Sequence, residues 1–504
     1  MGTVKTNNCT FSIAREASAG VLPGSPVWHL LEPNDIGSFG ATISKVAREP
    51  ISQNRQRRKG TTVDLESGAE IEHDLTVAAT DVLLEPFMFA VTKWARSQSP
   101  IKAGGTPYGL SLAVANATDF THSAISAPLP ANTLIYTRGF TNPANNGFKV
   151  VAASSTTTVT KVAGGLVAET PSAASGARLE IAGVRAATAD LTLTVSGTTG
   201  ALGSTALNFT TLGLNVGQVI HIGGLTSANW FGATNRGFAR ITSIAATALG
   251  LDKVDSTLVN DAGTGDTVDL LFGSFLRNVA VTSADYLEIS SQIEASYPNL
   301  GDPTTNYEYS KGNYANELTF ELPLTEKATI SVGFVGTDTE VPTTTQKDNA
   351  STPVVPVATD ALNTVSDLAR LRLSVVDAAG LTTCFTNLSI TLNNQVSPQK
   401  CLGTLGAVSM NFGIFLVDIE AEMLFTSATV VEAIRNNTSM TLDLVLRNSQ
   451  GGLAIDIPAM TLGGGEKAFP LNESVTITVQ GEAHGDPTFG YSLGISYFPA
   501  LPTA

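Results

Sequence analysis

The chain has 504 residues, 43% of them hydrophobic and 14% charged, which is room for roughly two to four domains and excludes a disordered, highly charged chain. Its 29 Lys and Arg against 44 Asp and Glu leave a net charge of −15. That balance argues against tight wrapping of nucleic acid, which needs clustered cations.

The N-terminus, MGTVKTNNCTF, has no apolar h-region, so no secretory signal is expected, although Gly2 to Thr6 fits a loose myristoylation pattern. Cys9, Cys384 and Cys401 form no CxxC pair and no disulfide framework, so buried free thiols are expected. No apolar run approaches the roughly 18 residues that span a bilayer. Synthesis and folding in a cytoplasm are the expectation.

Abundant Thr, Ser, Gly and Ala with short alternating apolar runs predict mostly β structure. Residues 47 to 77 carry five cations, Arg48, Arg55, Arg57, Arg58 and Lys59, followed at once by Glu70-Ile71-Glu72-His73-Asp74. On a strand, alternate residues share a face, so Glu70, Glu72 and Asp74 point one way and Ile71, His73 and Leu75 the other. A helix is predicted from Thr80 or Asp81 through Trp94, with Pro86 kinking or delaying it.

Residues 105 to 285 read as two small inserted β modules. LIYTRGFTNPANNGFKVVAAS from Leu134 resembles VIHIGGLTSANWFGATNRGFARITSI from Val219, with Asn145-Asn146-Gly147-Phe148 matching Asn235-Arg236-Gly237-Phe238. Turns of Asn-Gly type between alternating apolar residues are hairpin signals. Farther on, NELTFELPL carries a milder acidic face through Glu317 and Glu321.

Residues 340 to 362, rich in Pro and Thr, read as a linker between two similar halves. EIEHDLTVAATDVLLEP from Glu70 aligns without a gap on DIEAEMLFTSATVVEAI from Asp418, a shift of 418 − 70 = 348. Asp418, Glu420 and Glu422 then repeat the acidic stripe. Upstream, Ile51-Ser52 and Arg55 answer to Val396-Ser397 and Lys400. A counterpart helix is predicted from Ser427 or Thr429 through Arg435. Internal duplication is the economical explanation. One acidic strand is ordinarily just a solvated face; a stripe in both copies suggests a surface that must not hold polyanions.

Several of these segments resemble the major tail tube proteins of long-tailed, siphophage-like bacteriophages. The marks are Ala14-Arg15-Glu16, Trp28, Arg48-Glu49-Pro50-Ile51-Ser52 and the Arg-Gln-Arg-Arg-Lys-Gly run after it. In the second half they are the Ile-Arg-Asn-Asn segment at 434 to 437, Ile457-Pro458, Asn472-Glu473-Ser474-Val475 and Phe498-Pro499. The likeness covers residues 1 to about 100 and about 290 to 504, and leaves the inserted modules unexplained.

The resemblance implies a mainly β fold: two tandem tail-tube-type antiparallel β-sandwich domains, each with a short flanking helix, plus the inserted modules. The boundaries would be 1–104 and 286–339 for the first domain, 105–200 and 201–285 for the modules, 340–362 for the linker and 363–504 for the second domain. It implies rings that stack into a virion tail tube conducting DNA into the host. Glu70, Glu72, Asp74, Asp418, Glu420 and Glu422 would face the channel, and Arg55, Arg57, Arg58 and Lys59 would meet carboxylates of the next ring. Two domains per chain would make a homotrimer do the work of a hexameric ring. Partners would be further copies, tape-measure and tail-tip or terminator proteins, and passing double-stranded DNA held without sequence specificity, with no membrane.

His29, His73, His122, His221 and His484 are scattered, with no HExxH, and no GxSxG, P-loop or GxGxxG has its required context. No enzyme activity, catalytic residue, cofactor or metal is expected. Two other classes share the composition. A surface adhesin or array protein would use the modules as binding units, and a polysaccharide-degrading enzyme would need a clustered acid pair with aromatic platforms.

Overall fold

The computed structural model describes residues 4–502 except 52, 54, 55, 78–80, 105–109, 162, 173, 233, 299–304 and 376–383. It is mainly β, its strand ladders are antiparallel, and its two α-helices are short. The first segment holds β1 (Thr10–Arg15), β2 (Trp28–Leu31), β3 (Asp35–Arg48), β4 (Arg58–Asp74), α1 (Asp81–Met88) and β5 (Lys93–Trp94).

An inserted domain follows. Its strands are β6 (Ile101–Lys102), β7 (Ala113–Val114), β8 (Asp119–Thr121), β9 (Thr133–Arg138), β10 (Gly147–Ser154), β11 (Thr158–Lys161) and β12 (Arg178–Arg185). Then come β13 (Leu191–Ser196), β14 (Thr199–Ser204), β15 (Val219–Ile222), β16 (Gly237–Ile244), β17 (Ala248–Asp252) and β18 (Asp269–Leu271).

The chain returns through β19 (Ser274–Arg277), β20 (Ser291–Pro298), β21 (Thr305–Pro323), β22 (Thr329–Gly336) and β23 (Asp338–Thr339). The second half has β24 (Leu368–Val375), β25 (Phe385–Asn393), β26 (Ser397–Gln399), β27 (Ser409–Asn411), β28 (Leu416–Leu424) and α2 (Thr429–Arg435). It ends with β29 (Met440–Asn448), β30 (Gly451–Ala468), β31 (Thr476–Ala483) and β32 (Gly494–Phe498).

Eight strands pair side by side in the order β3-β4-β22-β21-β25-β28-β31-β30. The first four come from one half and the last four from the other, and both runs have the same pattern of chain order. One face of this sheet is the core. Ile71, Leu318, Phe320, Ile390, Leu392, Ile419, Met423, Ile477 and Val479 are buried there in a single apolar cluster.

A second layer closes the core from outside. The long strands β21 and β30 bend through both layers. Their C-terminal parts lie in the eight-stranded sheet, while their N-terminal parts pair with β20 and with β29 and β32. The outer sheet of the second half also takes in strands from the first, since β32 pairs with β19 and β19 with β5.

The first helix stops sooner than its sequence pattern predicts. α1 ends at Met88, Phe89 turns the chain with a φ of 45°, and Trp94 is in a strand. Pro86 removes the N–H that would bond to Val82, so little holds another turn in place. Thr80 lies outside the described residues. α2 ends at Arg435 as its pattern predicts; Ser427 Oγ accepts from Thr429 N at 3.1 Å before it.

The inserted domain is one continuous sheet of two six-strand runs, β7-β8-β11-β10-β9-β12 and β13-β14-β17-β16-β15-β18, joined by β12 and β18. Asn145 Oδ1 accepts from Val167 N and its Nδ2 donates to Val167 O and to Glu169. Asn235 repeats this with Val259 N, Val259 O and Asp261. The matched asparagines therefore do the same work in both runs.

Residues 340–362 contain no strand, yet they are tied down. Val354 exchanges hydrogen bonds with Trp28 O and Leu30 N, and Val355 N donates to Ala174 O.

Candidate functional site

The exposed face of the eight-stranded sheet is acidic across its whole width. Residues directly opposite on neighbouring antiparallel strands share a face. One such row runs Asp35, Glu72, Ser331, Thr319, Thr391, Asp418, Glu482, Thr461. Another runs Asp74, Thr329, Glu321, Ser389, Glu420, Gln480, Gly463. Glu70 and Glu317 stand in the row on one side, and Glu422 and Glu466 in the row on the other. None of these rows contains Lys or Arg.

Glu70, Asp418 and Glu420 are exposed, while Glu72, Asp74 and Glu422 are half-buried between their strand neighbours. Ile71, His73 and Leu75 lie buried behind them, as do Ile419, Ala421 and Met423. All six carboxylates expected from the sequence thus share one face with one another. The sequence reading missed Asp35, Glu466 and Glu482. The alternation of TITVQGEA carries the signal for the last of these.

Two members differ electrostatically. Although the Asp418 side chain reaches solvent, desolvation by its strand neighbours and the facing Glu482 carboxylate push it above the ordinary 3.8. Burial also opposes ionisation of Asp74, but the Lys327 ammonium at 2.6 Å and the Asn34 amide outweigh it and hold Asp74 below that value.

The β3–β4 hairpin runs past the sheet. The last β22 partner of β4 is Ser67, and β4 continues down to Arg58 paired only with β3. At about 3.3 Å per residue that is a two-stranded arm of roughly 30 Å. It exposes Ile43, Val46, Ile51 and Val63. Arg58 and Lys59 are exposed, and Arg57 pairs with Glu49 at 2.8 Å while both stay largely in solvent. Arg55 lies outside the described residues. Lys400, which the sequence aligned with Arg55, instead bonds Asp64 at 2.7 Å and Glu66 at 3.2 Å, fastening loop 394–415 to the base of the arm.

The inserted domain does not stand free. It packs on the second half through a buried charge network, Arg240 and Lys253 with Asp456 at its centre. A charged residue inside apolar runs such as LAIDIP (Asp456) is the sequence signal for such a contact, and the sequence reading did not use it.

Among the described residues no helix is long and apolar enough to cross a membrane. No curated protein matches the chain. Residues 254–483, from the end of the inserted domain through β31, match the family described as phage tail tube protein. That match, over a mainly β chain with an acidic sheet face, supports a structural tail tube protein carried in a phage tail.

Proposed function

We propose that the chain is a tail tube subunit with two tandem tube domains, three copies of which close a ring around a DNA channel. The observation that carries this is the seam between β21 and β25. It joins the two halves with Leu318 opposite Leu392 and Phe320 opposite Ile390. The strands at the two ends of the eight-stranded run, β3 and residues 461–468 of β30, are paired on one side only among the described residues. By chain order β30 corresponds to β21 and β3 to β25.

The same seam can then form between copies. Following the ladders, Leu462 corresponds to Leu318, because both lie opposite the matched positions Gly481 and Val332. Phe39 corresponds to Leu392, through Ala69 and Val417. A ring would set Leu462 of one chain opposite Phe39 of the next. Such closure removes two exposed strand edges, which otherwise invite uncontrolled pairing.

Channel width favours three chains. With strands about 4.8 Å apart and tilted about 40°, three arcs of eight make a backbone diameter of about 48 Å and two arcs about 32 Å. Side chains take about 5 Å from each wall, half the usual sheet spacing, so a hydrated duplex about 20 Å across passes freely only through the larger ring. The acidic face would line that channel, Glu70, Glu72, Asp74, Asp418, Glu420 and Glu422 among it, and repel phosphates so that DNA slides without adhering.

The arm bearing Arg57, Arg58 and Lys59 would overlap the next ring. An isolated two-stranded ribbon is marginal in water, so an arm of this length with exposed apolar side chains is built for a partner. Tape-measure and tail-tip or terminator proteins would meet the same tube in the virion, and no step needs a cofactor or catalysis. The test is averaged end-on images of assembled protein, together with a Phe39→Cys/Leu462→Cys chain run on non-reducing gels. Threefold rings and covalent trimers are expected. Sixfold rings of whole chains, or monomers at high concentration, would overturn the trimer.

A further inference from the structure

The inserted domain leaves the first half but docks on the second. Its root strands β5 and β19 already lie in the outer sheet of the second half, beside β32. Leu134, Ala182, Val219, Phe238 and Leu271 of the insert share one buried apolar cluster with Val445, Ala454, Phe498, Ala500 and Leu501. Arg138 donates to Gln450 O at 3.2 Å and Pro499 O at 2.9 Å, Val219 N to Ser496 Oγ at 2.9 Å, and the Tyr497 hydroxyl to Glu180 at 3.2 Å.

Charges from both sides meet at the centre of this contact, where Arg240 is also held in two bonds by Asp252 of its own domain, at 2.6 and 2.9 Å. Arg240, Lys253, Asp252 and Asp255 come from the insert; Arg370, Arg372, Asp443 and Asp456 come from the second half. Asp456, 1% exposed, receives Arg240 at 3.0 Å and Lys253 at 2.6 Å, with the Tyr491 hydroxyl also at 3.0 Å. Arg370 reaches Asp255 at 3.2 Å and pairs with Asp443, and Arg372 donates to Lys253 O at 2.8 Å. An interlocked set of this kind admits one docking geometry, since a shifted insert would leave several buried charges without partners.

The insert therefore spans from the first half to the second, on the outer side of the chain whose opposite side carries the β21–β25 seam. The matching connection of the second half, residues 436–439 between α2 and β29, holds no insertion. Nothing of the kind can brace the edge where β30 would meet a neighbour's β3.

We propose that the inserted domain is a clamp on the seam within the chain: it holds the two tube domains as a pre-shaped arc, so that assembly consists only of forming the seams between chains. The assembly clause rests on the ring reading; the clamp itself is a property of the single chain. Around a ring, clamped and unclamped seams would alternate, and three outer ridges would sit over the clamped ones.

The test is hydrogen exchange on the free full-length chain. Asp456→Leu takes from Lys253 its near carboxylate, leaving only Asp443 at 3.7 Å, and takes from Arg240 one of two, leaving Asp252. Arg240→Met/Asp252→Leu/Lys253→Met/Asp456→Leu instead replaces the central set with apolar side chains, a change that buried ion groups commonly tolerate. The single variant is expected to speed exchange of the residue 387–393 amides about tenfold, with amides of β14 and β17 inside the insert unchanged. The quadruple variant should restore protection. If Asp456→Leu unfolds the whole chain, Arg138→Met, which loses the bonds to Gln450 O and Pro499 O and the Glu180 pair while Glu180 keeps Arg178 at 3.4 Å, should loosen the same amides to a smaller degree.

Seam protection that stays at the wild-type level while the insert–second-half contact opens would overturn the clamp. So would threefold rings formed by undocked chains as readily as by wild type. A chain that forms no rings under any condition, yet shows the seam response, would sink the ring reading and leave the clamp standing.

Discussion

Leu318 lies directly opposite Leu392, each buried, across the line where the two halves of the chain meet in the eight-stranded sheet. The pair makes a comparison possible between a seam formed inside the chain and the seam proposed between chains. Leu318→Ala opens a cavity in a closed core and should cost about 2–5 kcal/mol of chain stability. Phe39→Ala, at the corresponding but half-buried position of the open edge, should cost the free chain clearly less while lowering the yield of rings. Denaturant melts and sedimentation of the two variants check this; equal losses of stability in the free chain would argue that β3 is not an open edge.

Charge on the sheet face should matter to transport and not to assembly. Glu72→Lys with Glu420→Lys is expected to leave tubes intact and to slow or stall DNA ejection, because cations would hold phosphates that carboxylates repel. Ejection followed by dye uptake into released DNA is the measurement. Wild-type kinetics from such particles would remove these residues from the channel.

The arm offers a separate test of stacking. Arg57→Glu/Arg58→Glu/Lys59→Glu changes exposed side chains, so the free chain should melt within about 0.5 kcal/mol of wild type. Rings should still form, but tubes should be shorter and their length should respond differently to salt. Tubes of unchanged length in negative stain would show that these cations do not join rings.

Asp74 and Asp418 should respond to pH with opposite sign. Asp74, held low by Lys327 and Asn34 against burial, contributes stability that is present above the ordinary 3.8 and lost as pH falls through its folded value. Lys327→Met should remove about 0.5–1 kcal/mol at pH 7, a difference that vanishes at about pH 2. Asp418, raised by burial and by Glu482, instead loses stability as pH climbs from 3.8 through its folded value, so Asp418→Asn should raise the melting temperature at pH 7 and change it little at pH 3. Thermal melts at the two pH values check both signs.

The alternation in Glu70 to Leu75 and in Asp418 to Met423 was enough to place acids on one face and apolar side chains on the other. A strand has a period of two whatever it pairs with, so facing is a local property. The match of Asn145 with Asn235 was legible for a similar reason, since each closes a turn using backbone groups only 22 or 24 residues away. The ends of α1 were less so. Pro86 marks a weak point, but the left-handed turn at Phe89 is set by what surrounds it.

The amino-acid sequence by itself thus determined that Glu70 to Leu75 and Asp418 to Met423 alternate, with acids on one face and apolar side chains on the other. Only the tertiary structure decided that β21 pairs with β25, that Lys400 fastens to Asp64, and that Arg240 and Lys253 meet Asp456. Those partners are 200 or more residues apart in two of the three cases, and no local preference distinguishes them from other strands and charges of the same kind. They are selected together, by an arrangement that buries the apolar faces, joins the two halves in one sheet and, among the described residues, leaves β3 and residues 461–468 paired on one side only.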